Sequence, residues 1–161
     1  MSDPRSTHFD DEGRARMIDV GEKPVTRREA VARGRILLSQ AACRAVIEGS
    51  VKKGDVLGVA RIAAIQGAKR TADWIPLAHP LALDAVEIDF RPDPSVPCIE
   101  IEARVRVQAR TGVEMEAMVA VSAAALTIYD MCKSIDRAMV IEAVRLVQKT
   151  GGKSGAYTRE A

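Results

Sequence analysis

Aromatic residues are scarce in this chain of 161 residues, which holds one Trp, two Tyr and two Phe. Proteins that hold single-stranded nucleic acid stack its bases on aromatic side chains, so the scarcity argues against such a partner. No charge of one sign dominates either. The 24 basic and 22 acidic residues leave a formal +2, too little for a long-range field toward duplex nucleic acid or an anionic membrane, although a local basic pocket remains compatible with it. Cys43, Cys98 and Cys132 lack the paired spacing of a zinc ribbon or a redox dithiol and fit a reducing compartment. The stretch from Met1 to Glu12 is polar, without an apolar signal core. No later apolar run is expected to reach the ~18 residues that a membrane span requires. The expectation is a cytoplasmic protein with one ordinary core.

What is present is aliphatic: 47% of the residues are hydrophobic, mostly Ala, Val, Ile and Leu, which favours tightly packed helices. Residues 1–14 read as a flexible arm, 15–155 as a single domain with order beginning near Arg16 to Val20, and 156–161 as a tail. Thr26 is a plausible N-cap for a helix through Ala30, Ala32 and Ile36 to Leu38. After a tight corner, Ser39 caps a second helix ending near Gly49. Lys52-Lys-Gly-Asp55 is a charged turn whose Asp55 caps a third, with Val56, Val59, Ala60, Ala63 and Ala64 on one face. Period-two alternation at Val86–Phe90 and Cys98–Val107 predicts paired strands. A long Ala-rich helix is expected from about Met115 to Lys133, then a β-rich segment from Met139 to Val147 and a loop from Thr150 to Gly155. Helices on one face of a mostly antiparallel sheet make an α+β sandwich.

Several residues carry chemistry. Glu114 and Glu116, two apart, are expected to point to different sides, and both also suit the positive end of a helix dipole. Asp130 and Lys133, three apart on one helix, form either a solvated ion pair or, when desolvated, a carboxylate with an oriented acid. His79, between Pro76 and Pro80, is presented rigidly, for proton transfer or for a bond to a nearby carbonyl. Its ligation of a metal with Glu114 or Glu116 lacks a clustered Cys or a second nearby His. Gly152-Lys-Ser154 does not end a phosphate-binding loop, because Val147 stands where that motif begins with Gly. Lys149 and Lys153 still add positive charge to a glycine-rich segment.

Together, Pro76-Leu-Ala-His-Pro-Leu81, Thr111-Gly-Val-Glu-Met-Glu116, Tyr129-Asp-Met-Cys-Lys133 and Lys149-Thr-Gly-Gly-Lys-Ser-Gly155 resemble successive signature blocks of the cyclic pyranopterin monophosphate synthases, the MoaC family. Lys53-Gly-Asp55 and Gln66-Gly-Ala-Lys-Arg70 fit the same pattern, and the resemblance runs from about Met17 to Gly155. It implies a ferredoxin-like fold assembled as a hexamer, a trimer of dimers. It also implies a phosphorus-oxygen lyase of molybdenum cofactor biosynthesis that rearranges a 3′,8-cyclised dihydro-GTP to a pyranopterin with a cyclic phosphate and releases pyrophosphate. No redox cofactor is implied, and Mg²⁺ would enter only with the triphosphate. Asp130 and Lys133 are then catalytic, with Lys53 a further acid/base group. Leu77, Ala78, His79, Glu114, Met115 and Glu116 line the pterin end, and Arg28, Lys69 and Lys149 contact the triphosphate. A non-catalytic nucleotide or pterin sensor is the alternative, and a metal-dependent phosphohydrolase using His79 and the two glutamates is a second rival.

One departure stands out: the family commonly has Cys where this chain has Ala78, so a required thiol nucleophile is not expected. Spacing adds a further point. Glu116 and Asp130 are 14 steps apart on one expected helix, ~21 Å at ~1.5 Å per residue. That separation implies sites built from blocks of two subunits.

Overall fold

The computed structural model describes residues 8–153 and 155–160. Five strands form one antiparallel sheet in the order β2-β3-β1-β4-β5. The chain runs β1 (Thr26–Leu37), α1 (Gln40–Ile47), α2 (Val56–Lys69), α3 (Thr71–Trp74), β2 (Ala85–Asp93), β3 (Cys98–Ala109), α4 (Glu114–Cys132), β4 (Val140–Thr150) and β5 (Tyr157–Thr158). With α1 to α3 as one crossover, the first four strands follow a β-α-β-β-α-β plan, compatible with a ferredoxin-like fold. The class is α+β.

Thr26 to Leu37 is a strand, not the helix that Ala30, Ala32 and Ile36 led us to expect. It lies at the centre of the sheet between β3 and β4, where period two sets the burial. Ala30, Ala32, Gly34 and Ile36 face the helices, while Arg33 and Arg35 face the open side. Gly34 is needed there because a Cβ would come within 2.8 Å of Val121 Cγ1 on α4. Alanine's helix preference yields to this packing.

The caps of α1 and α2 are those read from the sequence. Ser39 Oγ accepts from the Ala42 amide at 3.3 Å, and Asp55 Oδ1 accepts from the Gly58 amide at 2.9 Å. These hydroxyl and carboxylate groups satisfy amides that a helix start leaves open. The strands Ala85–Asp93 and Cys98–Ala109 pair in register from Ala85↔Arg106 to Asp93↔Cys98.

α4 packs across β1, β3 and β4, and α2 packs on α4 and β2. The core between them is aliphatic, with Ile36, Ile99, Ile101, Val105, Val121 and Ile128 fully buried. Contrary to the expectation of no sufficiently apolar run, α4 has the length and composition to cross a membrane, but 61% of that stretch is buried inside the fold. It is a core helix. The opposite face of the sheet carries cross-strand ion pairs, Arg33–Glu102 at 2.6 Å and Arg104–Glu29 at 2.7 Å among them. Such half-exposed pairs set register more than they add stability.

Both chain ends hold more structure than expected. Of the arm, residues 1–7 lie outside the described residues, but Phe9 bridges Ala15 around a turn in which Asp10 accepts from the Arg14 amide. Beyond residue 155, Tyr157 and Thr158 add an edge strand beside Lys149 and Gln148.

Candidate functional site

A cavity of about 1020 Å³ opens where the first turn of α4 meets one end of the sheet. Four pieces of chain converge on it, two of them strands of the sheet. The sheet contributes Arg28 and Lys149, the loop after α3 contributes Leu77, Ala78 and His79, and α4 contributes Glu114, Met115 and Glu116. These positions, drawn from four separate signature blocks or strands, therefore share one wall. Its size suits a nucleotide-sized ligand.

The two glutamates enter the same cavity, where different sides were expected, and differ in environment. Lys149 Nζ lies 2.9 Å from Glu114 Oε1. Glu116 is only 4% exposed. Burial pushes its carboxyl up to about 7, the neighbouring charge of Glu114 adding to the rise. One carboxylate is thus paired and the other is poised to hold a proton near neutrality. Both also sit in the first turn of a helix whose N-cap, Val113, offers no side-chain hydrogen bond, so the dipole reading holds as well.

His79 Nε2 is 2.9 Å from the Ile18 carbonyl oxygen. A carbonyl only accepts, so Nε2 carries the proton and Nδ1 of the neutral ring is left as an acceptor. The carbonyl-bonded reading of the sequence is the one realised, and it coexists with a place in the cavity wall. Arg28 is oriented likewise: Nε donates to the Ala109 carbonyl at 3.0 Å and Nη2 to the Arg110 carbonyl at 3.1 Å.

Sequence reasoning missed part of this wall. Lys23, Thr26 and Arg110 line the cavity, as does Lys153, whose charge alone had been noted. Arg110 Nε donates to the Lys23 carbonyl at 3.1 Å, fastening the segment that precedes β1. Only the adjacency of Arg110 to the Thr111–Glu116 block signalled its place; Lys23 and Thr26 carry no local motif. Lys69 is exposed on the last turn of α2 and is not in the wall. Ser154 lies outside the described residues.

A second cluster forms at the other end of α4. Lys133 Nζ is 2.6 Å from Asp130 Oδ1, and Lys53 Nζ is 2.9 Å from Oδ2 and 2.8 Å from the Asp130 backbone carbonyl. Lys133 and then Lys53 hold the Asp130 carboxyl down at about 2, so it is a fixed anion with an ammonium on each oxygen. Lys53 comes from the turn before α2, a partner that i,i+3 spacing could not reveal. Within one chain these three residues do not line the cavity.

With this geometry in place, comparison with known proteins is decisive. The MoaC family model matches residues 17–152. The chain belongs to the MoaC family. Among its relatives, the cyclic pyranopterin monophosphate synthase of Heliobacterium modesticaldum is 59% identical over 154 residues, 96% of this chain and 97% of that protein. The synthase of Pelotomaculum thermopropionicum is 56% identical over 154 residues, 96% and 91% of the two chains. That of Cereibacter sphaeroides is 55% identical over 155 residues, 96% and 98%. The matched span of the MoaC family includes the cavity wall from Ile18 to Gly152 and the Lys53–Asp130–Lys133 cluster.

Proposed function

We propose that this chain is a cyclic pyranopterin monophosphate synthase of molybdenum cofactor biosynthesis, a phosphorus-oxygen lyase. It converts 3′,8-cyclo-7,8-dihydroguanosine triphosphate to cyclic pyranopterin monophosphate and releases pyrophosphate. The observation that carries the reading is a single cavity in which Arg28 and Lys149 stand beside Glu114, Glu116 and His79, in a chain similar over almost its whole length to proteins of that name.

The chemistry needs both kinds of group. Closing the cyclic phosphate requires a sugar hydroxyl to attack the α-phosphorus while the bond to the β-phosphate oxygen breaks and pyrophosphate departs. Fixed cations lower that barrier because they face the charge that develops on the phosphoryl oxygens. Arg28 and Lys149 supply them. Rearrangement of the purine-derived rings requires proton transfers at nitrogen and carbon. The Nδ1 lone pair of His79 and the titrating carboxyl of Glu116 face the heterocycle, and Lys53 and Lys133, oriented by Asp130, act as acid and base. No redox cofactor enters this sequence of steps, and Mg²⁺ would arrive on the triphosphate, since Glu114 is committed to Lys149.

The catalytic cluster and the cavity occupy opposite ends of α4, so we assign each working site to two subunits, one giving the cavity and its partner giving Lys53, Asp130 and Lys133. A homohexamer built as a trimer of dimers satisfies this requirement, in the cytoplasm where the nucleotide precursor is made. The test is turnover of the cyclised dihydro-GTP, with pyrophosphate and the cyclic phosphate product both measured, run beside Ala78→Cys. Equal rates are expected, because the wall at Ala78 needs no thiol. Tight binding without product would instead identify a sensor.

A further inference from the structure

We propose that the Thr26 hydroxyl, with Lys23 beside it, is a further anchoring point in the cavity for an anionic phosphoryl oxygen. Thr26 opens β1 and shares its strand face with Arg28 two residues on. Its Oγ1 is buried and has no hydrogen-bond partner among the described residues. Buried hydroxyls are nearly always partnered, because an unmade bond forfeits the one made with water in the unfolded chain. A partner from outside the chain resolves the anomaly. Thr26 itself lines the cavity, and rotation about χ1 exchanges the positions of its hydroxyl and methyl with the backbone fixed.

The neighbours set the chemical class of that partner. Lys23 lines the cavity, and its carbonyl is fastened by Arg110, whose own carbonyl is held by Arg28. The hydroxyl shares the wall with three cationic side chains, Lys23, Arg28 and Arg110, while the wall's two carboxylates, Glu114 and Glu116, come from α4. A group of cationic donors suits phosphate oxygens rather than a cation or a neutral base. Of the wall's two carboxylates, Glu114 is already bonded to Lys149. The assignment rests on the proposed synthase reading, which supplies a polyphosphate.

Calorimetric titration of the full chain with inorganic pyrophosphate, together with melting temperatures, tests it. Thr26→Val keeps shape and strand preference while removing the hydroxyl. It should hold or raise the melting temperature and weaken pyrophosphate binding about tenfold, as loss of one hydrogen bond to a charged group does. Thr26→Ser should restore the affinity. Lys23→Ala, at an exposed position, should weaken binding and flatten its salt dependence. Unchanged affinity in Thr26→Val, with or without a fall in melting temperature, would overturn the proposal alone. No pyrophosphate binding by the unaltered chain would overturn the polyphosphate reading of the cavity as well.

Discussion

Lys149 Nζ reaches Glu114 Oε1 at 2.9 Å across the gap between β4 and α4. The contact ties the end of the sheet to the first turn of the helix and leaves Glu114 and Glu116 in different states of charge. Lys149→Met should raise KM for the cyclised nucleotide about tenfold or more, because a phosphate contact and the counter-charge of Glu114 go together. Steady-state kinetics decide it. A lower melting temperature with unchanged KM would mark the pair as purely structural.

Glu116 makes stability depend on pH in a stated direction. Its carboxyl is raised from 4.5 to about 7 by burial, so the folded chain binds more protons than the unfolded one between those values. The stabilisation is complete below pH 4.5 and is lost as pH rises through about 7. Urea unfolding should show the chain less stable at pH 8 than at pH 5, this group contributing on the order of a few kcal/mol. Glu116→Gln should remove that component. Identical slopes in both proteins would sink the assignment.

Asp130 behaves in the opposite sense. Held near 2 by Lys133 and Lys53, it stays ionised across the working range and contributes as a fixed anion, with its stabilisation lost only as pH falls through about 2. NMR titration should place its midpoint there, and Lys133→Ala should raise it more than Lys53→Ala does. Asp130→Asn should cut kcat by about 10²–10⁴ with little change in melting temperature, since on an exposed helix end Lys133 loses its ionic anchor and Lys53 keeps only the backbone carbonyl. A near-normal kcat would remove the cluster from the chemistry.

Shared sites predict complementation. Asp130→Ala and Glu116→Ala proteins, each inactive alone, should regain part of the turnover after subunit exchange, because mixed assemblies contain some intact sites. Absence of any recovery in demonstrably mixed oligomers would confine each site to one chain.

Much of this molecule is legible in its sequence, for reasons that also mark the limits. The caps Ser39 and Asp55 and the alternation of β2 and β3 are local signals, and local signals read correctly. β1 failed because Ala30 and Ala32 favour helix in isolation, whereas its place between β3 and β4, facing Val121, is decided by residues far along the chain. Ala32, Gly34 and Ile36 did alternate with Arg33 and Arg35, and Gly34 was the available warning. The signature blocks located most of the cavity wall. They could not show that the Lys23 carbonyl is fastened by Arg110, or that Lys53 reaches Asp130, since each contact spans more than 75 residues.

Gly34 and Gly67 give α4 a mechanical character. A Cβ on Gly34 would meet Val121, and one on Gly67 would meet Ala123 at 2.9 Å, so the helix is gripped at mid-length by two bare backbones. Glu116 and Asp130 project from the ends on either side of that grip, like the arms of a balance beam about its fulcrum. Any side chain inserted at the grip would tilt the beam. A change that touches no chemical group would then disturb the cavity and the lysine cluster in a single motion.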